Sequence, residues 1–98
     1  GRLRFQWDEN KNESNIVKHG VSFDEASTVF DDEEAIFISD PDHSVGEERF
    51  LLLGLSSREK ILVVCHCYRE NDEVIRIISA RPATKNEKRQ YNERIGGL

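Results

Sequence analysis

Two rhythms of hydrophobic and polar residues divide this chain. Leu3, Phe5 and Trp7 alternate with polar neighbours, which predicts a short half-buried strand. Asp8 is placed to cap a helix over residues 9–18, and Gly20 to close it in the left-handed conformation. Ser22-Phe23-Asp24-Glu25 reads as a capping box, with Val21 and Ala26 at the staple positions. It opens a second helix that carries Phe23, Ala26, Val29 and Phe30 on one face and stops near Asp31-Asp32. The period then shortens to two. Residues 35–38, 48–55, 60–68 and 73–80 read as strands, with Pro41 breaking a polar loop over 39–44 and polar turns at 56–59 and 69–72. Thr84-x-x-Glu87 is a second capping box, and its helix runs to about Arg94 before Gly96-Gly97. The expected order is β-α-α-β-β-β-β-α. This is an α+β fold: an antiparallel sheet of about four to five strands, two N-terminal helices and one C-terminal helix.

Ninety-eight residues suit a single domain over 1–98 with one core. A chain 37% hydrophobic and 34% charged is globular in type, and no apolar run approaches the length of a membrane helix. With no apolar signal region at residues 1–4, cytoplasmic residence and no membrane partner are expected. Cys65 and Cys67 are two apart on one strand, so they share a face but suit neither a disulfide nor a zinc site. They are read as core residues, with no metal or cofactor expected.

The charge is unevenly spread. Residues 1–48 hold 4 Lys/Arg against 13 Asp/Glu, and residues 49–98 hold 10 against 6. A net −5 and a pI near 5.2 argue against direct DNA binding by the whole chain, yet the second half can carry a basic face.

Arg76 stands inside the apolar strand over 73–80 and Arg81 at its exit. Arginine in such a setting needs an anion, and its planar fork suits phosphate. Symmetric hairpins would set Phe50 and Arg76 opposite His66, gathering Glu48, His66, Tyr68 and Arg76 on one sheet face. That set fits RNA phosphodiester cleavage by 2′-hydroxyl attack. His66 and Glu48 would handle protons, Arg76 and Arg81 would stabilise the phosphorane, and Tyr91 would donate or stack. The bland counterparts are a core histidine, an Arg76–carboxylate pair and a core-facing tyrosine.

Longer stretches add a family likeness. Phe5-x-Trp7-Asp8-x-x-Lys11-x-x-x-Asn15 and Lys18-His19-Gly20-Val21-Ser22-Phe23-Asp24-Glu25-Ala26 carry it, followed by Val29-Phe30-Asp31-Asp32. So do Asp42-His43-Ser44-x-Gly46-Glu47-Glu48-Arg49-Phe50, Gly54-x-Ser56 and Arg76-Ile77-Ile78-Ser79-Ala80-Arg81-x-Ala83-Thr84-x-x-Glu87-x-x-x-Tyr91. Together they resemble BrnT toxins, the toxin halves of type II toxin–antitoxin pairs.

The resemblance implies a RelE-like fold and a metal-independent endoribonuclease that blocks translation. It also implies a cognate antitoxin with a ribbon-helix-helix DNA-binding domain, operator DNA being met only through that antitoxin as the complex represses its operon. Arg76, Arg81 and Tyr91 match the family's basic and aromatic positions, with Glu48 and His66 as proton-transfer candidates. The lysine cluster of many RelE-like nucleases has no clear equivalent here. Arg49, Lys60, Lys85, Lys88 and Arg89 are the expected RNA-binding cations. The acids Asp31, Asp32, Glu33 and Glu34 are the expected antitoxin contact. The competing reading is a catalytically inactive RelE-like binding module that acts through a partner protein.

Overall fold

The computed structural model describes residues 4–38 and 48–96. The polar loop with Pro41 and His43, and part of the acidic region, lie outside these residues. The expected element order is the order found: β1 (Arg4–Gln6), α1 (Glu9–His19), α2 (Phe23–Ser27), β2 (Ile36–Ile38), β3 (Phe50–Leu55), β4 (Ile61–Arg69), β5 (Val74–Pro82) and α3 (Lys85–Gly96). A 3₁₀ turn over Thr28–Asp31 prolongs α2. The five strands lie in the order β1-β5-β4-β3-β2. The sheet is mixed rather than wholly antiparallel, because β1 runs parallel to β5. The α1–α2 segment carries the chain from β1 to β2 at the far edge of the sheet, and β3, β4 and β5 step back until β5 lies beside β1.

Local chemistry starts and stops the helices as expected. Asp8 accepts from the Asn10 N–H at 2.8 Å, and Gly20 takes φ 72°, where a side chain would be strained. Ser22 Oγ accepts from the Glu25 N–H, but Glu25 does not complete the box. Its carboxylate accepts instead from the Ser56 hydroxyl at 2.7 Å, tying α2 to the β3–β4 turn.

Each sheet face has its own core. On one, α1 and α2 cover Leu52, Leu62, Val64, Ile77 and Ala80 with Val21, Phe23, Ala26 and Val29. On the other, α3 brings Tyr91, with Ala83, against Leu53 and Val63.

Register decides which chemistry faces which way. The first hairpin is as expected, with Ser56 N–H bonded to the Lys60 carbonyl and Phe50 opposite His66. The second departs by one residue. Glu70, Asn71 and Asp72 all adopt positive φ, so the turn is tighter and Arg69, not Tyr68, pairs with Val74. His66 therefore faces Ile77, and Arg76 faces Cys67. The expected convergence of Glu48, His66, Tyr68 and Arg76 on one face does not form.

A β-bulge follows. Between the His66–Ile77 and Cys65–Ser79 pairs, β5 holds one extra residue, Ile78. Arg76 and Arg81 are five apart, and an unbroken strand would point them to opposite faces. With the extra residue Arg76 opposes Cys67 and Arg81 opposes Val63, and Cys67 and Val63 lie on one face of β4. The bulge puts both arginines on one side.

Candidate functional site

The sheet face opposite α1 and α2 carries Arg76 and Arg81, and α3 covers only part of it. Arg76 is half-buried, and its Nη1 donates to Gln6 Oε1 on β1 at 3.0 Å. This partner is neutral, and no carboxylate among the described residues pairs with the cation. Continuing the β3 register by one residue sets Arg49 beside Cys67, in the row of Arg76 and Gln6. Arg49 Nε is buried and has no hydrogen-bond partner among the described residues. Arg49 and Arg76 thus stand on either side of Cys67, two strands apart on one sheet face.

Arg81 is more tightly held. Its Nη1 and Nη2 donate to Glu87 Oε1 and Oε2 at 2.8 and 3.0 Å, and Nη1 also reaches the Pro82 carbonyl at 3.3 Å. Glu87 completes the second capping box: Thr84 N–H donates to its carboxylate, and Thr84 Oγ1 accepts from the Glu87 N–H. The Arg81 hydrogen bonds, outweighing burial, hold the Glu87 carboxyl at about 2. The same contact raises the Arg81 pKa. Three of five guanidinium donors are used. Nε and the second Nη2 hydrogen, parallel along one edge, have no partner among the described residues and offer a two-pronged site for phosphate.

Cations ring this end of β5. A shallow cleft beside it is lined by Glu59, Lys60, Ile61, Pro82 and Lys88. Lys85, Lys88 and Arg89 line the outer surface of α3. All four expected RNA-binding cations of this end, Lys60, Lys85, Lys88 and Arg89, are exposed.

Three expected residues occupy different settings. His66 is fully buried on the helix-covered face, among Phe30, Phe37, Phe50 and Tyr68, with ring centroids 4.8–6.1 Å away. Its Nδ1 lies 3.1 Å from the Val64 carbonyl, which fixes the Nδ1–H tautomer. Burial lowers its pKa despite that bond, so the ring is neutral. Its role is that of a core histidine, separated from the arginines by the sheet. Glu48 is exposed just ahead of β3, where no strand pairing fixes its side.

Tyr91 is the one buried residue of α3, at 3% exposure. Its hydroxyl donates to Asp32 Oδ2 at 2.5 Å. Burial and this bond push its pKa up to about 12, so it stays a proton donor. It neither stacks on a base nor meets solvent. It locks α3, and with it Glu87, onto the sheet.

Asp32, expected at the antitoxin contact, is the other half of that lock. Its carboxylate also accepts from the N–H groups of Leu55 and Glu34, at 2.8 and 2.9 Å. Burial opposes ionisation, but the bonds from Tyr91, Leu55 and Glu34, with the charge of Arg94, together lower its pKa. Gly54 makes room: a Cβ there would stand 2.8 Å from Ala35 Cβ and 3.1 Å from Asp32 Oδ2. Glu34 is engaged too, in an exposed pair with Arg94 at 3.6 Å. Of the four acids expected to meet an antitoxin, Asp31 and Glu33 remain exposed and uncommitted among the described residues.

Among the described residues, no three His, Cys, Asp or Glu side chains gather as metal ligands. No described helix is long and apolar enough to cross a membrane.

The family described as "Ribonuclease toxin, BrnT, of type II toxin-antitoxin system" matches residues 7–87, most of the chain. The chain belongs to the BrnT family. It is thus a type II toxin of a ribonuclease toxin family, and such a toxin implies an antitoxin partner. Its structure is similar to that of the Brucella abortus ribonuclease toxin BrnT, with a TM-score of 0.65 over 86% of this chain and 100% of that one. At 23% identity this likeness speaks for the fold alone. No curated protein matches the chain. The arginines lie on the face of the BrnT fold that the two N-terminal helices leave uncovered.

Proposed function

We propose that this toxin cleaves RNA on the arginine face, by attack of a 2′-hydroxyl on the adjacent phosphate. The observation that carries the reading is the bulge that turns Arg76 and Arg81 to one side, each with donors left over. About 16 Å of strand separates the two Cα atoms, so the guanidiniums meet neighbouring parts of the RNA backbone. Arg81, oriented by Glu87, offers its unused edge to the scissile phosphate and compensates the second negative charge of the phosphorane. Arg76 and Arg49 hold the phosphate beside it, and Lys60, Lys85, Lys88 and Arg89 guide the strand by charge. Glu48 lies past Arg49, at the Arg76 end of the sheet and out of reach of the phosphate at Arg81. The 2′-hydroxyl proton therefore passes to solvent water, and the P–O5′ bond breaks as the leaving 5′-oxygen takes a proton from water. Tyr91 keeps α3 in place and so positions Glu87. Cationic side chains supply the charge compensation, so the reaction proceeds without metal.

The same reading makes the chain a cytoplasmic inhibitor of translation, neutralised by an antitoxin with a ribbon-helix-helix domain. Their complex represses the operon by touching its operator through the antitoxin. The exposed Asp31 and Glu33 support a basic antitoxin segment lying across that surface.

Induced expression tests this. Growth arrest with RNA decay is expected, relieved by the co-expressed antitoxin and relieved less when Asp31 and Glu33 are both changed to Lys. A folded chain that causes neither arrest nor decay would favour the inactive binding module. Unchanged relief in the Lys variant would remove the acidic surface from the contact.

A further inference from the structure

The buried face of α1 is polar where a core-facing helix should be apolar. Asn12 and Asn15 are buried, at 7% and 6% exposure, while Ile16 and Val17 of the same helix are exposed at 43% and 88%. An inverted helix is costly unless the buried amides are fully used. Asn12 Oδ1 accepts from the Phe23 N–H at 2.8 Å, and its Nδ2 donates to Glu9. Those bonds stay within the α1–α2 corner.

Asn15 reaches farther. Its Nδ2 donates to the carbonyls of Val21 and Ala80, both at 2.8 Å, and its Oδ1 accepts from the Ala80 N–H at 3.1 Å. Both amide donors and the acceptor are engaged, and two carbonyl partners admit only this orientation of the amide. The place explains the bonds. Among the described residues β1 covers β5 only at Val74–Arg76, so from Ile77 onward no described strand neighbours the outer edge of β5. At Ala80, both main-chain polar groups on that edge meet the Asn15 amide, which substitutes for a strand. Ala80 follows the bulge at Ile78–Ser79 and precedes Arg81.

We infer that Asn15 is a positioning residue for the arginine face. By clamping Ala80 it holds the bulged register of β5, the register on which Arg81 faces the same way as Arg76. The inference rests on the proposed role of Arg81 in cleavage. Without the clamp, the exit of β5 is free to regain regular pairing, which turns Arg81 away from the substrate side.

The test is single-turnover RNA cleavage by Asn15→Asp across pH, with circular dichroism confirming the fold. Aspartate keeps the acceptor for the Ala80 N–H but, when ionised, sets negative charge against two carbonyls. Cleavage should fall about a hundredfold at pH 8, the scale of a small misplacement. It should recover as pH falls and the carboxyl gains a proton to donate. Two comparisons separate positioning from mere stability. Asn12→Ala, in the same buried layer but off β5, should leave cleavage by folded protein unchanged. In an Arg81→Ala background, Asn15→Asp should cause no further loss, because it acts through Arg81. The inference is overturned if Asn15→Asp cleaves as wild type at pH 8. It is equally overturned if the loss repeats in full in the Arg81→Ala background. Should Asn15→Asp fail to fold, Asn15→Ser is read in the same two backgrounds. Full cleavage by Arg81→Ala itself would instead strike at the arginine site, and the inference would fall with it.

Discussion

Alanine at Arg76 or at Arg81 is expected to lower RNA cleavage by roughly 10²–10³-fold while the protein stays folded, the usual cost of removing a donor aimed at developing negative charge. Each side chain is half-buried and contributes few stabilising contacts: Arg76 one bond to Gln6, Arg81 its exchange with Glu87. The Arg81–Glu87 pair is partly exposed, with side chains 38% and 15% accessible, so screening limits its loss to about 1 kcal/mol. The effect should therefore fall on the reaction rather than the fold. Lysine at Arg81 should restore little, because a single ammonium cannot hold Glu87 with two parallel bonds and also present an edge to phosphate. Single-turnover cleavage rates, paired with unfolding curves for each variant, check this. Loss of rate in step with loss of stability would make the arginines structural.

The largest effect on stability is expected at Asp32. Alanine there removes the acceptor for Tyr91 Oη, Leu55 N–H and Glu34 N–H together, and should cost about 3 kcal/mol at neutral pH. α3 has one buried side chain, so losing its lock should free the helix before the rest of the fold. The pH dependence has a definite sign. The carboxyls of Asp32 and Glu87 both titrate lower in the folded chain than their ordinary values of 3.8 and 4.5. Their contribution is complete above those values and declines as pH falls through the folded ones, about 2 for Glu87. Urea unfolding of wild type should weaken below about pH 4.5, and Asp32→Asn with Glu87→Gln should flatten that slope. A wild type equally stable at pH 7 and pH 3 would contradict the lock.

Much of the fold was legible because the signals were local. Asp8, Gly20, Ser22 and Thr84 act on residues within one turn, and all four mark helix ends as expected. The first hairpin was legible too, since the 56–59 turn pairs Ser56 with Lys60 symmetrically. The site was less so. Three consecutive left-handed residues shift the second hairpin by one position, so Arg76 changed partner, and the added step at Ile78 brought Arg81 to its side. Neither feature has a local signature of the glycine kind, and a one-residue slip exchanges the faces of a sheet. Tyr91 and Asp32 meet across 59 positions, and Asn15 and Ala80 across 65. Sequence spacing carries no record of such pairs. The readable trace of Asn15 was a polar residue among apolar ones on the wrong side of a helix.

The most direct test of the arginine face is the chemistry of the RNA ends. Purified wild-type chain should cut RNA with EDTA present, leaving 2′,3′-cyclic phosphate and 5′-hydroxyl termini, and Arg76→Ala with Arg81→Ala should leave the RNA whole. Termini bearing 5′-phosphate, or cleavage undiminished by loss of both arginines, would contradict 2′-hydroxyl attack on this face.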